Sequence, residues 1–141
     1  MNPNTDQIVD FFENLSPNKL QQLSQIYAPQ ARFKDPFNEV VGIAAIQHIF
    51  EHMYVQVERP RFTIKERVVN QQQCFLTWEF RFNFKTFKTS HRQCILGATH
   101  LVFDDDGLIT VHRDYWDAAE ELYEKIPFLG GLMRWLKRQA S

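Results

Sequence analysis

The stretch Tyr27-Ala-Pro-Gln-Ala-Arg-Phe-Lys-Asp-Pro-Phe37, followed by Val41-Gly-Ile-Ala-Ala-Ile-Gln-His-Ile-Phe50, carries the change of backbone period that decides the fold. Ala31 to Lys34 is a short β-prone run that ends on a lone carboxylate, Asp35. Pro36 stops the strand, because it has no N–H for a sheet ladder and fixes its own φ. Gly42 opens a helix expected to run to about Val57, with Ile43, Ile46, Ile49, Phe50 and Met53 at helical spacing and Pro60 ending it. A carboxylate held where strand meets helix is a candidate general base. More often such an Asp anchors a turn or caps a helix, and the local residues alone favour that structural role.

On the N-terminal side, Thr5 or Asp6 can cap a first helix running to about Leu15, which buries Ile8, Val9, Phe11, Phe12 and Leu15. Ser16-Pro17-Asn18 breaks it and caps a short second helix carrying Leu20, Leu23 and Ile26. Further on the period changes to two. From Phe75 to Phe84, the residues Leu76, Trp78, Phe80, Phe82 and Phe84 share one face, and Thr77, Glu79, Arg81 and Asn83 the solvated one. Strands are also predicted over Arg61 to Val69, Arg92 to Phe103 and Leu108 to about Trp116. Asp104-Asp-Asp-Gly107 forms a hairpin turn. Ala118 to Lys125 reads as helix, Pro127 interrupts it, and Phe128 to Arg138 forms an amphipathic helix. Helices first, a curved antiparallel sheet next and a helical tail last make an α+β order. One domain over 1–141 is expected, with its core at about 5–117 and its tail at 118–139.

Composition narrows the function classes. Hydrophobic residues make up 44% of the 141, and 13 are Phe, enough to line a cavity as well as fill a core. The net charge of −1 gives no global attraction to nucleic acid or anionic membrane. Basic and aromatic residues interleave from Arg81 to Arg92, a pattern that can bind single strands, but a hairpin with one solvated edge accounts for it better. Cys74 and Cys94 lack metal-ligand spacing and read as small buried hydrophobes in a reducing compartment. His48 and His52 stand four apart on a helix, where a solvated face explains them more simply than zinc; no metal is expected. The first residues lack the pattern of a signal peptide, and no apolar run reaches the ~20 residues that span a bilayer. A cytoplasmic protein without stable membrane association is predicted. The stripe of Leu129, Leu132, Met133 and Leu136 could lie on a membrane surface, but packing over the fold or against a second subunit is the better expectation.

This order of elements, with Ala-Arg-Phe-Lys-Asp35-Pro-Phe37 and the downstream Gly42-Ile-Ala-Ala-Ile46, resembles the nuclear transport factor 2-like superfamily. Within it the chain is most similar to the ketosteroid isomerase-like and SnoaL-like branches, over roughly Ile8 to Trp116. The resemblance implies a cone of helices packed across a strongly bent sheet with a pocket inside, a homodimer, and no cofactor. It places Asp35 on the isomerase's general base. The isomerase's oxyanion donors are absent: Phe11 and Thr99 stand at the positions of its Tyr and protonated Asp, and Phe50 replaces a supporting Tyr. Steroid isomerisation is therefore not expected.

The last strand offers other polarity. Thr110, His112, Asp114 and Trp116 alternate onto one face, which the resemblance turns toward the pocket. His112 and Asp114 would be costly to bury without pairing to each other, to Asp35 or to a ligand. They are candidate acid–base partners of Asp35, or else a satisfied polar pair bracing the fold. Trp78, Phe80, Leu101 and Trp116 would wall the cavity beside Phe11, Phe50 and Thr99. The expected function is a pocket for a small hydrophobic molecule, as a cofactor-independent acid–base enzyme or as a non-catalytic binding module. Binding of nucleic acid is not expected.

Overall fold

The computed structural model describes residues 4–85, 92–121 and 138–139. Among the described residues, three α-helices and a 3-10 helix pack on a six-stranded mixed sheet, whose strands β1 (Tyr27–Lys34), β2 (Glu39–Val41), β3 (Val57–Asn70), β4 (Gln73–Phe84), β5 (Gln93–Phe103) and β6 (Ile109–Tyr115) lie in the order β2-β1-β6-β5-β4-β3. Helix α1 spans Thr5–Glu13 and buries Ile8, Phe11 and Phe12. Its N-cap is Asn4, not Thr5 or Asp6: the Asn4 side chain accepts from the Gln7 N–H, which otherwise has no partner in the first turn. The helix stops at Glu13, short of Leu15. The second predicted helix is a 3-10 helix over Pro17–Gln25, with Leu20, Leu23 and Ile26 buried as expected.

Strand β1 (Tyr27–Lys34) is longer than the Ala31–Lys34 run, and β2 (Glu39–Val41) folds back on it after the turn at Pro36. Gly42, with φ of +99°, then starts α2 (Ile43–Gln56), and its own N–H bonds back to the Ala31 carbonyl. Only glycine takes that φ readily, so this residue sets the entry angle of the helix. Pro60 does not end α2. The helix stops at Gln56 and passes directly into β3 (Val57–Asn70), within which Pro60 lies at a bulge between Glu58 and Arg61. Strand β3 is an edge strand, where a missing N–H is tolerated.

Strands β4 (Gln73–Phe84), β5 (Gln93–Phe103) and β6 (Ile109–Tyr115) complete an antiparallel run. Cys74, Leu76, Trp78 and Phe82 on β4 are buried, as the alternation requires. Asn83, assigned to the solvated face, is buried instead, because two guanidiniums cover it. Gly107 (φ +82°) closes the β5–β6 hairpin, and Asp104 Oδ1 accepts from the N–H groups of Asp106 and Leu108. Strand β6 then pairs in parallel with β1, matching Phe33 to His112 and Lys34 to Arg113. Helix α3 is described over Ala118–Glu121, and the remainder of the predicted 118–125 helix lies outside the described residues. The amphipathic helix at 128–138 lies outside them except for Arg138, as do residues 86–91 of the basic and aromatic interval.

Two apolar clusters fill the interior. The larger joins Phe11, Phe12, Tyr27, Phe33, Phe50 and Leu101; the smaller joins Val57, Trp78, Phe82 and Ile95. Trp78 lies across Gly97 on the paired strand, and a Cβ added at Gly97 would come within 2.3 Å of the indole. Gly97→Ala must therefore displace a ring whose N–H is bonded to Thr99. A loss of about 1–3 kcal/mol is expected. It should be read as a lower urea midpoint at unchanged m.

Candidate functional site

The parallel register decides which polar groups meet. With Phe33 beside His112 and Lys34 beside Arg113, one further step brings Asp35 toward Asp114. The two carboxylates share an open cleft of about 500 Å³ where β1 and β6 end, lined by residues 34–36 and 113–117. Trp116 stands at its wall, edge-on to Phe37 at 5.6 Å. Of the expected site residues, Asp35, Asp114 and Trp116 line this cleft.

Asp35 also serves the turn. Its Oδ1 accepts from the N–H groups of Phe37 and Asn38 at 2.8 and 2.7 Å, and the Asn38 side-chain amide reaches both oxygens. These bonds favour the carboxylate. Burial works against it more strongly, and the Asp114 charge adds to burial, so the Asp35 carboxyl titrates above its ordinary range.

Behind the cleft runs a buried chain of hydrogen bonds. Tyr27, fully buried, places its hydroxyl 2.6 Å from His112 Nδ1. His112 Nε2 lies 2.8 Å from Asp114 Oδ1. Thr99 donates its hydroxyl to the same Oδ1 at 2.6 Å, and the Trp78 indole donates to Thr99 at 2.8 Å. The roles follow from the acceptor at the centre. A carboxylate oxygen can only accept, so Nε2 carries the proton, and in the neutral ring Nδ1 accepts from Tyr27. Burial, and then the Asp114 charge, push the Tyr27 hydroxyl well above the usual phenol value, which keeps it a donor.

His112 is thus placed as a buried brace. The residue is 4% exposed, both ring nitrogens are occupied, and Phe12, Tyr27 and Phe33 pack around the ring. Thr99 and Trp78 support Asp114 from within the sheet. Phe11, Phe50 and Leu101 sit in the larger core cluster and Phe80 packs against the smaller one, so none of the four lines the cleft. Tyr27 was not among the expected site residues, although it opens the decisive stretch. A tyrosine followed by apolar and β-prone residues is the available signal, but its partner is 85 positions away. Among the described residues, no group of three or more His, Cys, Asp or Glu converges as a metal site.

A model of the SnoaL-like domain matches residues 8–112. Among solved structures, the chain resembles a protein of ketosteroid isomerase-like fold from Catenulispora acidiphila in complex with trimethylamine. The TM-score is 0.71 at 17% identity, over 86% of this chain and 92% of that one. It also resembles an LEH-like epoxide hydrolase from M. tuberculosis, with TM-score 0.66 and 15% identity over 96% and 86% of the two chains. A protein provisionally assigned as a SnoaL-like polyketide cyclase from Shewanella denitrificans gives 0.67 at 18% identity, over 86% and 99%. Among curated proteins, none matches the chain. At these identities the structural likenesses establish the fold.

Two outcomes test the geometry. Tyr27→Phe removes the donor to a buried nitrogen and should cost about 1–3 kcal/mol. The same change should leave the Nε2–H that Asp114 holds in place and shift only the Nδ1 signal, read from the ring ¹⁵N shifts of His112. For Asp35, a raised carboxyl means stability that is present below the ordinary carboxylate range and lost as pH rises through the folded value. Asp35→Asn keeps an oxygen for the Phe37 and Asn38 N–H groups, so it should raise Tm at neutral pH. That gain should vanish near about pH 3, where the wild-type carboxyl is protonated in both states.

Proposed function

The chain belongs to the SnoaL-like domain family, and from that membership and the paired carboxylates we propose a cofactor-independent acid–base enzyme acting on a small hydrophobic molecule. The observation that carries this reading is the convergence of His112 and Thr99 on one oxygen of Asp114, at the cleft that Asp114 shares with Asp35. Two hydrogen bonds on Oδ1, from Thr99 and His112, fix the orientation of the carboxyl group. Among the described residues, no hydrogen bond reaches Oδ2, which is left to take a proton. Asp35, whose protonated form is favoured by burial and by the charge of Asp114, then serves as the proton donor. These roles invert the resemblance, which would make Asp35 the base. Two carboxyls on one cleft, one of them favoured in its protonated form, suit one to abstract a proton beside a carbonyl and the other to return one to oxygen or carbon. Trp116 and Phe37 would hold a flat or aliphatic substrate against the pair.

A homodimer across the outer sheet face belongs to the same reading. Exposed Phe75, Leu96 and Tyr115 support it. The competing reading is a non-catalytic ligand-binding module, favoured by the turn-forming bonds of Asp35.

The experiment is solvent deuterium incorporation next to the carbonyl across a panel of small hydrophobic ketones. Exchange should be lost by about 10²-fold or more in Asp114→Asn. Ligands that bind without exchange, and bind equally well to Asp114→Asn, would instead establish the binding module.

A further inference from the structure

At the corner of the sheet where β3 begins, β4 ends and β5 starts, two arginines converge on a neutral group. Arg59 Nη2 and Arg92 Nη1 each lie 2.9 Å from the side-chain oxygen of Asn83, which is 8% exposed. Arg92 Nη2 also donates to the Arg59 carbonyl at 2.8 Å. That carbonyl is presented by a backbone in the left-handed region, with φ of 51° at Arg59, beside the β3 bulge. A non-glycine residue holds such a conformation only when its surroundings impose it.

The charge balance of this arrangement is unusual. Two guanidiniums that share one acceptor repel each other, and a buried carboxylate would be the ordinary remedy. Here the shared acceptor is an amide. Among the described residues, neither guanidinium forms an ion pair. Glu58, which faces Asn83 across the ladder, is the nearest acidic residue in sequence and pairs with neither. Nearby, Arg81 is neutralised by Glu79, and Lys85 Nζ is bonded to the Tyr54 carbonyl. Each guanidinium carries five N–H donors. The three bonds to Asn83 and the Arg59 carbonyl leave seven donors on the two forks without an acceptor among the described residues.

We propose that Arg59 and Arg92, braced by Asn83, form a binding site for a phosphate-type oxyanion, separate from the cleft of Asp35 and Asp114. A tetrahedral dianion can accept paired bonds from both forks and removes the repulsion between them. Asn83 fixes the spacing of the forks without neutralising them. The site shares no residue with the cleft, so it stands independently of the proposed catalysis. Its exposure sets a modest affinity, with a Kd of order 1 mM.

Titration with inorganic phosphate at constant ionic strength, followed on the side-chain Nε–H signals of Arg59 and Arg92, tests the proposal. Both signals should move and saturate, and sodium chloride at matched ionic strength should not reproduce the change. Arg92→Gln should weaken binding about tenfold or more. Asn83→Asp is the decisive variant: it supplies the missing carboxylate at the same position, so it should raise Tm and abolish the phosphate response together. A wild-type response equal to that of chloride would overturn the site. So would an Asn83→Asp protein that binds phosphate as the wild type does.

Discussion

The parallel ladder between β1 and β6 is the contact on which the rest of the molecule depends. It joins segments some 80 residues apart, and its register places Phe33 beside His112. The Ile109 N–H, bonded to the Ile26 carbonyl, fixes the far end of the same pairing. A slip by one residue would turn His112 and Asp114 to the opposite face, because side chains alternate along a strand. Tyr27 would lose His112, Thr99 would lose Asp114, and the two carboxylates would no longer share a cleft. The candidate chemistry is therefore a consequence of one strand register.

The buried polar chain is stable because its donors and acceptors balance. Tyr27, His112, Thr99 and Trp78 each bring a hydrogen-bond donor into the interior, and unpaired each would cost about 1–3 kcal/mol. Arranged in sequence toward Asp114, all four are satisfied. Aromatic packing by Phe12 and Phe33 excludes water from the ring of His112, which makes the satisfaction obligatory. The same arrangement leaves Asp114 as the group at which this interior network reaches solvent.

Much of the architecture was legible in the chain. The alternation from Leu76 to Phe84, the helical spacing from Ile43 to Met53 and the turn at Asp104–Gly107 all encode local periods, which sequence displays directly. The stop at Asp35-Pro36 was equally local. Pro60 misled because a proline inside an edge-strand bulge looks in sequence like a proline that ends a helix. Asn83 misled because its burial comes from Arg59 and Arg92, brought there by two other strands. For the candidate site, Asp35, His112 and Asp114 were visible as residues, but their division into a cleft-facing pair and a buried brace was not. That division depends on Tyr27 and on the depth of β6, both set by long-range pairing.

The Trp78 indole laid over Gly97 bears on how this interior could change over evolutionary time. The two residues exchange volume across paired strands: one supplies a ring, and the other supplies the vacancy that receives it. Interior capacity in this part of the sheet is consequently held in a single pair of positions. A smaller residue at 78 would open a chamber beside Thr99 and Asp114 without altering the backbone, provided position 97 stayed small. A larger residue at 97 combined with a smaller one at 78 would close it again from the opposite strand. Two codons could thus move the space available to a ligand from the open cleft to the inside of the sheet.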